Sequence, residues 1–500
     1  MRVAISLLVC MTLGIAQAMP ARLNFDAGAQ RPMMGGQLYH DKTVTYYPYT
    51  VRQHAPDSEI CVAGSRQFTG QVTVTENNSL FFWFFESRND PKNSPVIIWM
   101  NGGPGGSSMN GLLKEVGPCS VNEHANTTVL EPHSWTEFAN VLFLDQPAGV
   151  GFATVANGTD FPDNVAESGE DFNRFLQTFY GAIFPELAGN KLHIAGESFG
   201  GKFVPCYADY ITKLQQVASP NVAPVPIESI ILVNAVVDTL GAGVLGYYDH
   251  FCDKDGKPDM KYPFNETACR AMEVDTPECE RLSALCVETY DPNVCYSATM
   301  FCDDHLGKWL FGDIVKGGRD AYDDREICQD PPLCEDFSGN SSFAVFLNLL
   351  HIKKELGFGE EFTYQGINFE LNQKWMESRD AFVPSTREVS YLLDKTPTRV
   401  LVLNGNNDAV VTTEGQKRVF DHLPWSRQAA YRMYRFKEWQ WPDESGKLTV
   451  GGEMKTADKL SFVSIDEAGH AAPQFQREAV SFLMRCWIAG GSERDPRCPL

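Results

Sequence analysis

Short apolar runs, each bounded by turn residues, recur along most of the chain. Runs of this length and setting are typical of strands buried on both faces of a sheet. They occupy residues 95–100, 140–144, 192–195, 230–234, 400–403 and 459–465. Two further runs, 71–75 and 80–85, flank an Asn-rich turn and predict a hairpin.

Helical periodicity lies between these runs. It covers residues 165–184, 203–214 and 474–489. Strands that alternate with helices predict a mostly parallel sheet covered by helices. The alternation stops between about 245 and 390, where cysteines, acids and helix-like segments accumulate. We therefore expect a core in two parts, 56–245 and 391–500, with a helical cap inserted at 246–390.

The chain begins with a pattern typical of a secretory signal peptide. Arg2 precedes an apolar run over 3–15, and Ala16-Gln17-Ala18 fits a cleavage site with small residues. An uncleaved anchor is the alternative, but the apolar run is short for a membrane span, and no later run is long enough. We expect residues 1–18 to be removed. Residues 19–55 then form an N-terminal extension, which is either a short prosegment or a segment that wraps around the core.

Composition narrows the class of partner. The chain has 500 residues, 43% of them hydrophobic, which is enough for a large core. Its formal net charge is −22, and this argues against nucleic acid or an anionic membrane as a partner.

The cysteines and sequons agree with export. Of 14 cysteines, eight lie between Cys252 and Cys334, which suggests a cap stabilised by disulfides. No C-x-x-C pair is present, so zinc binding is disfavoured. An odd number remains once Cys10 leaves with the signal peptide, and Cys206, on the apolar face of a helix, is our candidate for an unpaired, buried thiol. Glycosylation sequons occur at Asn77, Asn126, Asn157, Asn265 and Asn340.

The sequence Gly196-Glu197-Ser198-Phe199-Gly200 lies between a predicted strand and a predicted helix. A G-x-S-x-G turn in this context is typical of a nucleophile elbow, which presents the serine hydroxyl clear of the backbone. By chance the pentapeptide also occurs in ordinary surface turns. The rest of a catalytic triad is therefore needed to make the interpretation firm.

An acid and a histidine follow in the chain order of the α/β-hydrolase fold. Asp408 comes just after the strand 400–403, and His470 comes just after the strand 459–465. Parallel sheets of this kind place their chemistry at the carboxyl ends of the strands. We assign Ser198 as nucleophile, His470 as general base and then acid, and Asp408 as the group that holds the imidazole tautomer.

A glycine-rich loop over 101–108 follows the strand 95–100. Its backbone can approach a developing oxyanion closely, so we expect the N–H groups of Gly103 and Phe199 to form the oxyanion hole. A phosphate-binding loop is the alternative, but no G-K-[ST] follows the glycines.

Three motifs together resemble the serine carboxypeptidase family, which includes carboxypeptidase Y. They are Trp99-Met100-Asn101-Gly102-Gly103-Pro104-Gly105, Gly196-Glu197-Ser198-Phe199-Gly200-Gly201 and Gly469-His470. The segment 142–152, LFLDQPAGVGF, extends the resemblance, which covers about 68–490. It implies an α/β-hydrolase fold, and the nearest group is the secreted fungal enzymes of carboxypeptidase S type.

The resemblance also implies how a free C-terminus is bound. An Asn, a backbone N–H and two Glu that share a proton hold the substrate carboxylate in this family; the matching residues are Asn101, Gly102, Glu115 and Glu197, with Trp99 nearby. Two carboxyls held close cannot both ionise easily, so one pKa rises. The shared proton can then donate to the substrate. We expect peptidase activity to be best at acidic pH and to fail through a rising KM.

The cysteine spacings match the family as well. They imply the disulfides Cys279–Cys302, Cys286–Cys295, Cys328–Cys334 and Cys252–Cys269, whereas Cys61, Cys119, Cys486 and Cys498 have no assigned partner.

The chain also departs from the family pattern. Gly106 stands where a cysteine is common, and Phe199-Gly200-Gly201 replaces a common Tyr-Ala-Gly. Val411 and Ala471 replace a Cys and a Met near the substrate, which leaves the side-chain preference open.

The expected function is a secreted serine carboxypeptidase, with vacuolar delivery as an alternative destination. It acts on peptides or proteins with a free C-terminus and needs no cofactor or metal. An esterase or acyltransferase on the same fold is the first alternative, but it needs no group that binds a free carboxylate. A non-catalytic binding protein is the second alternative, and an intact triad argues against it.

Overall fold

The computed structural model describes residues 47–217, 224–252, 264–334, 341–443, 445–490 and 498. The predicted signal peptide, most of the predicted extension and the sequon at Asn340 lie outside the described residues. Within these ranges, no helix is long and apolar enough to cross a membrane.

A twelve-stranded sheet forms the centre of the protein. The strands of the protein are β1 (Tyr49–His54), β2 (Asp57–Ser58), β3 (Cys61–Val62), β4 (Gln67–Thr73), β5 (Asn78–Phe85), β6 (Val96–Met100), β7 (Cys119–Val121), β8 (Thr128–Leu130), β9 (Asn140–Asp145), β10 (Thr154–Val155), β11 (Leu192–Glu197), β12 (Ile227–Val233), β13 (Arg399–Gly405), β14 (Lys437–Pro442), β15 (Leu448–Ala457) and β16 (Leu460–Ile465). β2–β3 and β7–β8 form two small separate hairpins.

The middle of the large sheet is parallel and its edges are antiparallel. The order β1-β4-β5-β9-β6-β11-β12-β13-β16-β15-β14 runs across it, with β10 paired to β5. The strands β9, β6, β11, β12, β13 and β16 are parallel to one another. Parallel strands need crossover connections, and the helices supply them.

Fifteen α-helices are present in the described residues. They are α1 (Val165–Thr178), α2 (Gly200–Gln216), α3 (Thr239–Ala242), α4 (Tyr247–Phe251), α5 (Glu266–Thr289), α6 (Pro292–Cys302), α7 (Lys308–Ile314), α8 (Ser342–Leu347), α9 (Leu350–Leu356), α10 (Phe369–Ser378), α11 (Thr386–Lys395), α12 (Thr413–Asp421), α13 (Gln428–Met433), α14 (Ala472–Phe475) and α15 (Arg477–Ala489). α3 to α11 lie between β12 and β13, in the part of the chain that contains the predicted cap.

The apolar strands bury both faces, as runs of this kind predict. Along β6, Ile98 packs into the hydrophobic cluster on one face of the sheet and Ile97 packs into the cluster on the other. Ile230 and Ile231 of β12 divide in the same way. The alternation of side chains along a strand thus builds two cores from one continuous apolar run.

Five of the six disulfides join cysteines that are at most 23 residues apart in the chain, and the sixth joins cysteines 58 residues apart. The four pairs implied by the resemblance are bonded: Cys252–Cys269, Cys279–Cys302, Cys286–Cys295 and Cys328–Cys334. Cys61–Cys119 and Cys486–Cys498, left unassigned from the sequence, are bonded as well. Cys206 is the free cysteine of the described residues, and it is partly rather than fully buried.

Residues 49–54 form an edge strand that no run in the sequence predicted, because β1 pairs along its whole length with β4. One expectation needs correction. The helix expected over 165–184 ends at Thr178 and continues as one π-helical turn over 179–183.

Helix α2 begins at the elbow and contains a proline in its second turn. Pro205 has no backbone N–H, so it cannot donate to the carbonyl of Gly201. The hydroxyl of Ser385 donates to that carbonyl instead, at 2.5 Å. A residue at the start of α11 thereby fastens the insertion to the helix that follows the nucleophile.

Candidate active site

The turn between β11 and α2 places Ser198 at the carboxyl end of a central strand. Ser198 has a φ of 57°, a conformation that non-glycine residues adopt rarely. Its backbone N–H donates to Val233 at 3.1 Å, and its carbonyl accepts from Gly201 and Val236. A methyl group on Gly196 would lie 2.5 Å from Val204, so the strand and the helix can pack this closely only with glycine there. The geometry is that of a nucleophile elbow.

His470 and Asp408 are directly bonded. The Nδ1 of His470 lies 2.7 Å from the Oδ2 of Asp408, and Asp408 is fully buried. The same Oδ2 accepts from the side chain of Asn234 at 2.8 Å. Its Oδ1 accepts from the backbone N–H groups of Val410 and Val411 at 2.8 and 3.0 Å. These donors orient the carboxylate toward the imidazole.

The acid and the base follow neighbouring parallel strands, β13 and β16, whose carboxyl ends meet at one edge of the sheet. Ser198 and His470 both line a cavity of about 220 Å³. The structure therefore brings together the three residues that the sequence assigned to the triad.

The glycine-rich loop lies against the elbow. A methyl group on Gly102 would lie 2.3 Å from the backbone nitrogen of Phe199 and 2.8 Å from the Cβ of Ser198, so only glycine fits. Gly103 has a φ of 111° and lines the cavity. The backbones of the two expected oxyanion donors, Gly103 and Phe199, are thus held beside the serine.

Asn101 connects two buried glutamates. Its Nδ2 donates to Glu197 at 3.0 Å and to Glu115 at 3.3 Å. Its Oδ1 accepts from the indole N–H of Trp99 at 2.8 Å and from the backbone of Gly111 at 3.0 Å. Because two donors occupy the amide oxygen, the amide nitrogen must face the carboxyls.

The environment of Glu197 favours its protonated form. Burial raises the pKa of Glu197 well above its ordinary value, and the neighbouring carboxyl of Glu115 raises it further. The carboxyl of Glu115 lies within hydrogen-bonding reach of Glu197, and among the described residues no other group bonds the Oε2 atom of either glutamate. The two carboxyls are therefore suited to share one proton.

Trp99 has a different place from the one expected. It is fully buried and does not line the cavity. Its ring packs edge-on against Trp135, at 5.4 Å between centroids. Trp99 therefore orients Asn101 through a hydrogen bond and does not reach the cavity where a carboxylate would bind.

Comparison with known proteins decides the family. Residues 57–490 match the serine carboxypeptidase family. The chain is 32% identical over 462 residues to carboxypeptidase Y homolog A of Uncinocarpus reesii, covering 91% of this chain and 80% of that protein. It is 32% identical over 472 residues to carboxypeptidase Y of Candida albicans, covering 94% and 82%.

The chain belongs to the serine carboxypeptidase family. Its fold is shared with the crystal structure of KEX1(delta)p, a prohormone-processing carboxypeptidase from Saccharomyces cerevisiae, with a TM-score of 0.71. That match has 21% identity and covers 87% of this chain and 92% of the other. The protein is accordingly a hydrolase of the serine carboxypeptidase type with an α/β-hydrolase fold.

Several residues of the carboxypeptidase site were missed from the sequence. Asp145, at the end of β9, accepts from the hydroxyl of Ser107, the backbone of Ser108 and the backbone of Phe152. It thereby holds the glycine-rich loop in place. Burial raises the pKa of Asp145 to about 6, although these three hydrogen bonds oppose the shift. The signal was present, since Asp145 lies within the LFLDQPAGVGF motif.

Residues between β12 and β13 also line the carboxypeptidase cavity. Tyr322 packs edge-on against the imidazole of His470, at 5.3 Å between ring centroids. Phe343 and Ile367 also line the cavity. Of the two departures from the family pattern near the substrate, Ala471 lines the cavity, whereas Val411 is buried and does not line it.

Among the described residues, no group of three or more His, Cys, Asp or Glu side chains is arranged to hold a metal ion.

Proposed function

We propose that this carboxypeptidase releases C-terminal residues from peptides by way of an acyl-enzyme on Ser198. His470 takes the proton of the serine hydroxyl as the oxygen attacks the scissile carbonyl, and Asp408 stabilises the imidazolium that forms. The N–H groups of Phe199 and Gly103 stabilise the oxyanion. His470 then returns the proton to the leaving amine, and water hydrolyses the ester by the same steps in reverse.

The cluster of Asn101, Glu115 and Glu197 is the observation that carries the proposal. Glu197 directly precedes Ser198 in the chain, and Asn101 and Glu197 line the same cavity as Ser198. Glu115 is buried and bonded to the amide of Asn101. In the proposed complex, Asn101, the backbone N–H of Gly102 and the shared proton of the two glutamates donate to the terminal carboxylate of the substrate. A hydrolase of esters has no need of such a group. The cluster thus restricts cleavage to the last peptide bond.

The same cluster sets the proposed pH dependence. At acidic pH the shared proton is present, and the site donates to an anion. As the pH rises and the proton leaves, two carboxylates face the substrate and repel it. We therefore propose that the enzyme works best in acid, and that the loss toward neutral pH lies in KM rather than in kcat.

One assay series tests the proposal. Blocked dipeptides with a free C-terminus are compared with their C-terminal amides and with matched esters, between pH 4 and pH 8, with Ser198→Ala as the control. Cleavage of the free acids in acid, with loss of activity on the amides, supports the proposal. Equal cleavage of acids and amides would contradict the carboxylate site and favour an esterase. A KM that stays flat with pH would contradict the shared proton.

We also propose that the protein is secreted and glycosylated. The six disulfides support an oxidising compartment. Four of the sequon asparagines, Asn77, Asn126, Asn157 and Asn265, are exposed. Mass spectrometry of the protein from culture medium, before and after endoglycosidase, tests both points; a protein found only inside the cell with no change in mass would contradict them. The carboxypeptidase S-type assignment within the family stays a prediction.

A further inference from the structure

One segment of the insertion, residues 321–324, lies across both loops that carry the acid and the base. The carbonyl of Tyr322 accepts from the backbone N–H of His470 at 2.7 Å. The carbonyl of Ala321 accepts from the backbone N–H of Ala409, next to Asp408, at 3.0 Å. The segment therefore bridges the carboxyl ends of β13 and β16, and a shift of the segment would move both loops.

Asp324 fastens the end of this segment to the acid loop. Its backbone N–H donates to the carbonyl of Asn407 at 2.9 Å. Its Oδ1 accepts from the side chain of Asn407 at 3.0 Å. Asn407 directly precedes Asp408, so the carboxyl of Asp324 bonds the residue next to a member of the triad.

The other carboxylate oxygen of Asp324 meets a buried histidine. The Nε2 of His250, on α4, lies 2.9 Å from the Oδ2 of Asp324, and its Nδ1 lies 3.2 Å from the Oε2 of Glu414, on α12. The side chains of His250 and Asp324 are 2% and 5% exposed. Three separate elements thus meet at one imidazole. Both ring nitrogens can donate, one to each carboxylate, only when the imidazole is doubly protonated and therefore cationic.

Other charges surround this cluster without facing the ring directly. Arg418 of α12 pairs with Asp249 of α4 and with Glu280 of α5. Lys417 of α12 acts on Glu414, and the guanidinium of Arg319 lies over the ring of Phe251. The groups that bond the His250 ring are the two carboxylates.

The carboxylates hold the proton on His250. Burial alone would lower the pKa of His250, but the hydrogen bonds and charges of Asp324 and Glu414 outweigh burial and raise that pKa to about 9. The imidazole is therefore a cation throughout the acidic and neutral range. A buried charge of this kind is stable only while its partners stay in place, so it ties the positions of the three elements together.

We propose that the Asp324–His250–Glu414 cluster is a positioning element for catalysis, which holds segment 321–324 and thereby sets the alignment of the Asp408–His470 pair. The inference rests on the proposed roles of Ser198, His470 and Asp408. None of the three residues of the cluster lines the cavity, so they act through Asn407 and Tyr322 and not on the substrate.

The first test removes the charge and keeps much of the shape. His250→Gln can still donate one hydrogen bond, and Asp324→Asn keeps an acceptor for Asn407 but loses the anion. His54→Gln is the matched control. His54 is also buried, and its Nε2 lies 2.8 Å from the hydroxyl of Thr69. It lies on the edge strand β1, far in the sheet order from the strands that carry the triad. All proteins are assayed well below their melting temperatures, with the number of active sites titrated.

We expect kcat to fall about tenfold or more in His250→Gln and Asp324→Asn, with KM little changed, since a displacement of about 1 Å at a triad can cost roughly 100-fold in rate. The control should keep its kcat even where its melting temperature drops. If the cluster variants keep the wild-type kcat while losing only thermal stability, the cluster has a merely structural role and the proposal is overturned.

A pH profile provides a readout that a structural role would not change. The rate at which a fluorophosphonate labels Ser198 is measured from pH 7 to pH 10. This reagent has no terminal carboxylate, so its reaction does not depend on the proposed carboxylate site. Wild type should lose reactivity as the pH passes about 9, where His250 loses its proton. His250→Gln should start lower and lack that descent, whereas other titrating groups, such as Lys202, are common to both proteins.

The outcomes separate this inference from the proposed function. If wild type is not labelled, or if labelling persists in Ser198→Ala, the proposed triad itself is contradicted. Normal labelling of wild type with identical pH profiles in wild type and His250→Gln would leave the triad intact and overturn the positioning role.

Discussion

The indole N–H of Trp99 donates to the Oδ1 of Asn101 at 2.8 Å, and together with the backbone N–H of Gly111 it decides which way the amide faces. With its oxygen occupied, Asn101 presents its nitrogen to Glu197 and Glu115. A residue that never reaches the cavity therefore sets the polarity of the group proposed to bind the substrate carboxylate.

Trp99→Phe should weaken the binding of free acids. The substitution keeps an aromatic ring but removes a hydrogen bond with a net value of about 1 kcal/mol, which corresponds to roughly a fivefold rise in KM. The kcat for peptides and the kcat/KM for uncharged ester substrates should change little. Steady-state kinetics on matched acid and ester substrates measure this, and an equal loss on both would show that Trp99 acts on the triad instead.

Glu197→Gln should remove the pH dependence of KM. Burial and Glu115 raise the pKa of Glu197, so wild type keeps the shared proton in acid and loses it as the pH rises through that pKa. A glutamine amide donates at every pH. We expect KM for a free-acid peptide to vary less between pH 4 and pH 8 than in wild type. A variant whose KM rises as steeply as that of wild type would place the titrating proton elsewhere.

Asp408→Asn should almost abolish turnover. The backbone donors of Val410 and Val411 will select the amide oxygen of the new side chain, so its nitrogen must face His470 and favour the wrong imidazole tautomer. The kcat should fall on the order of 10⁴-fold, as in other triads. Turnover at saturating substrate measures it, with circular dichroism to check the fold. A loss of less than about tenfold would argue against Asp408 as the partner of His470.

His250 should make stability fall at alkaline pH. Its folded pKa, about 9, lies above the ordinary value of 6.5, so the folded state binds the proton more tightly than the unfolded state. The contribution is therefore complete below about pH 6.5 and is lost as the pH rises through 9. The melting temperature of wild type should decline over this window more than that of His250→Gln. Parallel curves would contradict a raised pKa.

Cys206 should be a slow thiol. It is unpaired, and burial followed by the charge of Glu388 raises its pKa well above the ordinary value. Because the thiolate is the reactive form, we expect maleimide to label it slowly at pH 7.5 in the folded protein and quickly after denaturation without reductant. Cys206→Ser is the control. Rapid labelling of the folded protein at this residue would contradict the assignment.

The apolar runs of the sequence were sufficient to locate the central strands. Val96–Met100 and Arg399–Gly405 lie where their patterns placed them, because a run buried on both faces carries its signal in its own composition. The edge strand β1 was missed, since Tyr49–His54 is only partly buried and gains its strand conformation from pairing with β4.

The disulfides illustrate the same limit in another way. The resemblance implied the four cap pairs, all of which are bonded in the structure. Cys61 and Cys119 are 58 residues apart, and no local pattern relates them. Only the fold of the intervening chain brings these two cysteines together, with their Cα atoms 5.7 Å apart.

By itself, the sequence determined the alternation of strands and helices, the Ser-Asp-His order and, through its motifs, the family. Each element and each motif gives a local signal, because side-chain periodicity and turn chemistry depend on neighbouring residues. The tertiary structure alone decided which distant polar groups bond to each other. Trp99 donates to Asn101, and Asn234 donates to Asp408. The ring of His250 bonds both Asp324 and Glu414. The choice of partner for a buried polar group depends on which distant segments the fold packs around it, and no spacing along the chain encodes that choice.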